Sequence, residues 1–155
     1  PETRFFGDLA DTRMGQQRVR FLRPAGFMNE CGGAVASVCG YFDIPAEALL
    51  VVHDDLDLPP GTVRIKQGGG HGGHNGLRDI FSKLGSREFI RLRIGIGHPG
   101  NSDDVSDWVL RKPSSEDKTA ILDAIDRALG QIDPMMSGNL EPVMKALHTQ
   151  PKGQS

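Results

Sequence analysis

The sequence predicts an α/β protein. Segments with helical spacing of apolar residues alternate with strand-like segments along the chain. The run Ala48-Leu49-Leu50-Val51-Val52, bounded by Pro45 and the turn Pro59-Pro60-Gly61, has the composition of a buried central strand. A length of 155 residues fits one domain with a single core, expected over residues 1–148.

The elements follow in chain order. Residues 5–12 and 17–22 flank Arg13-Met14-Gly15-Gln16 and read as a hairpin, with Val19 and Phe21 on its apolar face. In residues 29–42, Cys31, Ala34, Val35, Val38 and Phe42 lie on one helical face, and Asn29 stands where an N-cap belongs. The apolar run at 48–52 leads into His53-Asp54-Asp55-Leu56-Asp57. Residues 62–67 form a further strand, and the glycine-rich stretch 68–73 opens a helix over 75–84 with Leu77, Ile80, Phe81 and Leu84 on one side. Residues 89–96 alternate as a strand, and residues 103–110 suggest a short helix. Ser114 or Ser115 caps a longer helix with Ile121, Leu122, Ile125, Ala128 and Leu129 inward. A last helix covers residues 140–147, and the tail 149–155 has the composition of a disordered end.

Bulk properties narrow the function. Charged residues at 25% and hydrophobic residues at 37% are ordinary for a globular chain, and no apolar run approaches the roughly 18 residues that span a bilayer. Cys31 and Cys39, eight apart on one helix, would sit about 12 Å apart, too far for a disulfide. Reduced thiols fit a cytoplasmic protein. The net charge of −2 argues against a uniformly basic nucleic-acid binder, yet residues 60–93 carry seven basic side chains to two acidic ones.

Four groups of residues suit chemistry, one of them Phe27-Met28-Asn29, for which an N-cap at Asn29 and packing of Phe27 and Met28 are the default reading. The acidic strand end places Asp54 where ligands bind in open α/β sheets, suited to orienting a histidine from elsewhere; His53 points the opposite way along the strand and is not its partner. In Gly68-Gly69-Gly70-His71-Gly72-Gly73-His74-Asn75-Gly76, a formal G-x-G-x-x-G lacks the acidic residue a dinucleotide site needs, and no G-K-[ST] follows. What this loop offers is close backbone approach and a helix start at Asn75, able to hold an anion or a carbonyl oxygen. Finally, Arg64, Lys66, Arg91 and Arg93 alternate on two strands, a pattern that serves phosphate contacts or simply a solvated face.

Together Phe27-Met28-Asn29, His53-Asp54-Asp55-Leu56-Asp57-Leu58-Pro59-Pro60-Gly61, the stretch 68–77, and Arg91-Leu92-Arg93-Ile94-Gly95-Ile96-Gly97-His98-Pro99-Gly100 resemble, in order and spacing, bacterial peptidyl-tRNA hydrolase. The resemblance implies a mixed, twisted sheet flanked by helices. The implied activity is hydrolysis of the ester joining peptide to the 3′ ribose of tRNA, with no metal and no cofactor. It makes Asp54, Asn29 and Asn75 catalytic: Asp54 supports a histidine, Asn29 contacts the peptide–tRNA junction, and Asn75 positions the water or the carbonyl. Met28, Phe27, His74 and Gly72 become cleft wall and gate, and Arg64, Lys66 and Arg93 contacts to tRNA phosphates. The partner implied is peptidyl-tRNA, through its acceptor stem and 3′ end, met by a monomer away from membranes. Such enzymes draw an asparagine and a histidine from an N-terminal G-x-x-N-P-G…T-R-H-N segment; neither motif occurs here, so the resemblance implies a chain without that segment, inactive as it stands. A non-catalytic RNA-binding protein on the same fold is the alternative; the intact Asn29, Asp54 and Asn75 set favours the enzyme.

Overall fold

A computed structural model describes residues 7–14, 17–24, 31–70, 74–97 and 114–148. Two compact units emerge, residues 1–50 with 67–90 and residues 51–66 with 91–155.

In the first unit β1 (Gly7–Met14) and β2 (Gln17–Pro24) pair antiparallel, with Leu9 opposite Leu22 and Met14 opposite Gln17. Pairing runs two residues closer to the turn than the sequence pattern indicates, and residues 15 and 16 fall outside the described residues. Asp11 meets Arg18 and Arg20 across the strands at 3.2 and 3.3 Å. The face packed on the neighbouring helix is that of Leu22, which joins Leu9, Val38, Phe42 and Ile44. Of the two residues expected on the apolar face, Val19 is buried at 8% and Phe21 is 42% exposed, so that face is covered only near the turn end of β2. The charged residue on the packed face, Arg20, lies 3.9 Å from the centroid of the Phe42 ring, where its guanidinium is attracted to the π face.

Helix α1 (Gly32–Tyr41) buries Ala34, Val35, Val38 and Cys39. Its cap position is Cys31 and not Asn29, which lies outside the described residues. A distant carboxylate replaces the local cap: Gly32 N–H donates to Asp79 Oδ2 at 2.6 Å. Asp79 belongs to α2 (Asn75–Leu84), and a Cβ at Gly32 would fall on the Asp79 main-chain carbonyl. Glycine at 32 therefore lets the two helices come close enough for one to cap the other. Leu77 and Ile80 of α2 are buried, Phe81 meets the Phe89 ring at 5.6 Å, and the helix ends on Gly85 in the left-handed region at φ 76°.

A three-stranded sheet runs mostly through the second unit, with β3 (Leu50–Asp55), β4 (Val63–Gln67) and β5 (Ile90–Gly95) in the order β3-β5-β4. The N–H groups of Ile90 and Ile96 donate to the carbonyls of Leu49 and Asp55, so β3 and β5 are parallel. Those of Gly68 and Gly95 donate to Phe89 and Thr62, so β4 and β5 are antiparallel. The sheet is mixed, as the resemblance implies, within the α/β class that the alternation of elements predicts.

The central strand of these three is β5 and not the 48–52 run. Residues 46–48 form a 3-10 turn, β3 continues through His53, Asp54 and Asp55, and Val52 is 59% exposed. An unbroken apolar run signals sheet structure without specifying rank in the sheet. The alternating β5 hides both its faces, Arg91 included.

Helix α3 (Ser115–Leu129) starts at Ser114, whose Oγ accepts the Asp117 N–H at 3.1 Å. Ala124 and Ala128 face inward, while Leu122 and Leu129, expected inside, are more than half exposed. Five apolar residues within nine cover more of a helix circumference than one packed face needs, and the small residues sit at the close approach. Short α4 (Ile132–Met136) and α5 (Leu140–His148) follow, with Val143 and Leu147 of α5 buried. The helix expected over 103–110 and the tail 149–155 lie outside the described residues.

Candidate active site and phosphate-contact face

Asp54 occupies β3, half-buried, one residue before the strand ends. Because Asp55 turns its carbonyl to β5, the backbone of Asp54 faces away from β5. The buried His53 ring serves that outward edge, donating from Nδ1 to the Asp54 carbonyl at 2.8 Å. His53 thus reaches the main chain of Asp54. Asp55 accepts Arg93 Nε at 2.7 Å through Oδ2, and through Oδ1 the Asp57 N–H at 2.8 Å, which starts the turn that closes over the strand end. With Asp55 13% and Arg93 24% exposed, this charge-assisted bond is partly shielded from water and fixes β3 against β5 beside Asp54.

The basic residues fall into register. From the two β4–β5 bonds, Arg64 stands opposite Arg93 and Lys66 opposite Arg91. Val63 and Ile65 are buried on the other face of β4, so the four basic residues share one face. It is not an even stripe: Lys66 is exposed, Arg64 and Arg93 are intermediate, and Arg91 is 3% exposed.

His148, the last residue of α5, was not singled out by sequence, and its Nε2 accepts the Ile65 N–H at 3.1 Å. Burial first, then the Arg64 guanidinium, with Arg93 adding to it, push the imidazole below the usual histidine range. The unfolded chain then binds the proton more tightly than the folded one, so stability is full above the ordinary histidine value and falls as pH drops through the lowered one. Melting temperature against pH should show this loss in the native chain, and the difference between it and His148→Gln should contain the histidine contribution. Identical curves would show that His148 titrates alike in both states.

In the first unit, Asn75 is the first residue of α2, as expected, and His74 is its cap. His74 Nδ1 accepts the Leu77 N–H at 3.1 Å, which places the proton of the neutral ring on Nε2. Gly68 and Gly69 before this start have φ of 75° and 97°, a left-handed path that glycine alone adopts cheaply. Phe27, Met28, Asn29 and Gly72 lie outside the described residues. Both thiols are free and buried, and burial raises their pKa, for Cys31 with help from Asp79; neither has the character of a nucleophile. No helix among the described residues is long and apolar enough to cross a membrane.

Sequence reasoning missed Asp55, Asp79 and His148. The Asp79–Lys83 spacing shows an ion pair one helical turn apart, found at 3.2 Å, but nothing local signals that Asp79 also caps α1.

Comparison with known proteins bears on the whole chain. A family model described as peptidyl-tRNA hydrolase matches residues 1–154. The peptidyl-tRNA hydrolase of Marinomonas sp. (strain MWYL1) is 50% identical over 149 residues, covering 96% of this chain and 77% of that protein. That of Saccharophagus degradans is 52% identical, with 96% and 76% covered. Among solved structures, peptidyl-tRNA hydrolase from Acinetobacter baumannii superimposes with a TM-score of 0.93 at 39% identity, covering 97% of this chain and 76% of that one. A complex of peptidyl-tRNA hydrolase with N-propanol gives a TM-score of 0.94 at 38% identity, with 99% and 78% covered.

Proposed function

Since this chain belongs to the peptidyl-tRNA hydrolase family, we propose that it hydrolyses the ester between peptide and tRNA and so recycles tRNA during translation. The observation that carries the reading is the family match over residues 1–154. We assign the roles as follows. A histidine from a T-R-H-N segment, absent from these 155 residues, is the general base. The Asp54 carboxylate holds its tautomer and stabilises the imidazolium that forms as water is deprotonated. Water attacks the ester carbonyl, the oxygen gains charge, and the neutral amides of Asn29 and Asn75 suit that developing oxyanion. The bond from the carbonyl carbon to the tRNA 3′ oxygen breaks, and that oxygen takes the proton from the imidazolium to leave as the free 3′ hydroxyl. Phe27, Met28, Gly72 and His74 wall and gate the cleft. Arg64, Lys66 and Arg93 take phosphates of the acceptor stem, with Arg93 presented by its bond to Asp55. The protein acts as a cytoplasmic monomer.

The test is release of free tRNA from a model N-blocked aminoacyl-tRNA, with these 155 residues alone and with a T-R-H-N segment joined ahead of them. Turnover is expected only in the second case. Turnover by the 155 residues alone would refute the external base. Failure of both, with tRNA still bound, would establish the RNA-binding alternative.

A further inference from the structure

His148 connects α5 to the outer edge of β4. In the β4–β5 pairing, Thr62 and Gly68 bond inward to Gly95 and Phe89. Alternation therefore turns the N–H of Ile65 outward, away from β5. An outward N–H on the last strand of the described sheet needs an acceptor or water, and His148 Nε2 supplies one at 3.1 Å. The residue served lies between Arg64 and Lys66, two of the three side chains assigned to tRNA phosphates. Val143 and Leu147 anchor the same helix by burial, so the ring is delivered from a fixed base. Accepting at Nε2 fixes the neutral tautomer with its proton on Nδ1.

We infer that His148 is a positioning residue for tRNA: by accepting the Ile65 N–H it holds the edge backbone of β4 so that Arg64 and Lys66 present to the phosphates together. This rests on the tRNA-binding reading above. His148 touches no reacting atom, so its loss acts on affinity and not on the chemical step.

Binding of deacylated tRNA would be measured against salt concentration for the native chain, His148→Leu and His148→Gln. Glutamine can accept the Ile65 N–H through Oε1; leucine cannot. With leucine, affinity should fall roughly fivefold, the scale of one lost hydrogen bond. The dependence of log affinity on log salt should also flatten by about one phosphate contact. Glutamine should restore both, and Ile65 amide exchange should be slow in the native and glutamine forms and fast in the leucine form. A general loss of stability would lower the folded fraction without changing the salt slope of the folded molecules. An unchanged leucine variant, or a glutamine variant as weak as leucine, overturns the inference. No tRNA binding by the native chain would instead defeat the function reading, and this inference with it.

Discussion

Asp54→Asn, in the form carrying the T-R-H-N segment, is expected to lower kcat by on the order of 10²- to 10⁴-fold while tRNA affinity changes little. Asparagine keeps the size of the side chain but loses the charge that stabilises an imidazolium. It also presents either an N–H or a carbonyl to the histidine, so the tautomer is no longer imposed. The phosphate contacts assigned to β4 and β5 do not involve Asp54, which is why binding and turnover should separate. The aspartate that does support that face is the next residue, Asp55, bonded to Arg93. Asp55→Asn is therefore the informative companion: it should weaken tRNA binding through Arg93 more than it slows bound substrate. Single-turnover rates and tRNA dissociation constants for the two variants check this. Equal losses in both quantities for Asp54→Asn would make Asp54 a structural residue.

The different surroundings of these adjacent aspartates are only half visible in the sequence. A strand ending in acidic residues is legible because apolar runs and turn prolines are local signals, and Asp54 was singled out on that basis. Which of the acidic residues is tied up by a basic partner depends on strand order. Local sequence did not reveal that β5, and not β3, is central among the described strands. The same limit explains α1. Its apolar face was readable from spacing, but the cap comes from Asp79, 47 residues away, and the only local trace is a glycine at 32 that could have served any turn. By contrast α2 is legible to its end residues, because a glycine-rich entry and a strong apolar face adjoin in the sequence. His148 stayed hidden because a histidine at a helix end has many ordinary uses, and its partner is a backbone N–H 83 residues earlier.

Gly95→Ala tests how the strand end that carries Asp54 is held. Gly95 closes β5, and a Cβ there would fall on the Pro59 carbonyl oxygen and press on that of Leu58. Those carbonyls cannot simply step aside. Pro59 accepts the Thr62 N–H at 3.1 Å, Leu58 accepts the Gly97 N–H at 2.9 Å, and Arg127 of α3 holds the Gly61 carbonyl at 2.5 Å. The turn after β3 is therefore pinned from three sides over a bare backbone position, and an added methyl must displace main chain rather than a flexible side chain. The expected cost is roughly 1–3 kcal/mol, with a fall in melting temperature of about 2–4 °C for each kcal/mol in a chain of this size. Gly33→Ala is the matched control: its Cβ meets nothing within 4 Å, and it lies inside α1. Removing that glycine should stabilise by roughly 0.5–1 kcal/mol through helix propensity alone. Opposite signs for the two glycines would show that contact, and not glycine content, decides stability here. If Gly95→Ala melts no lower than the native chain, the turn yields easily, and the position of Asp54 must be set from the β3 side.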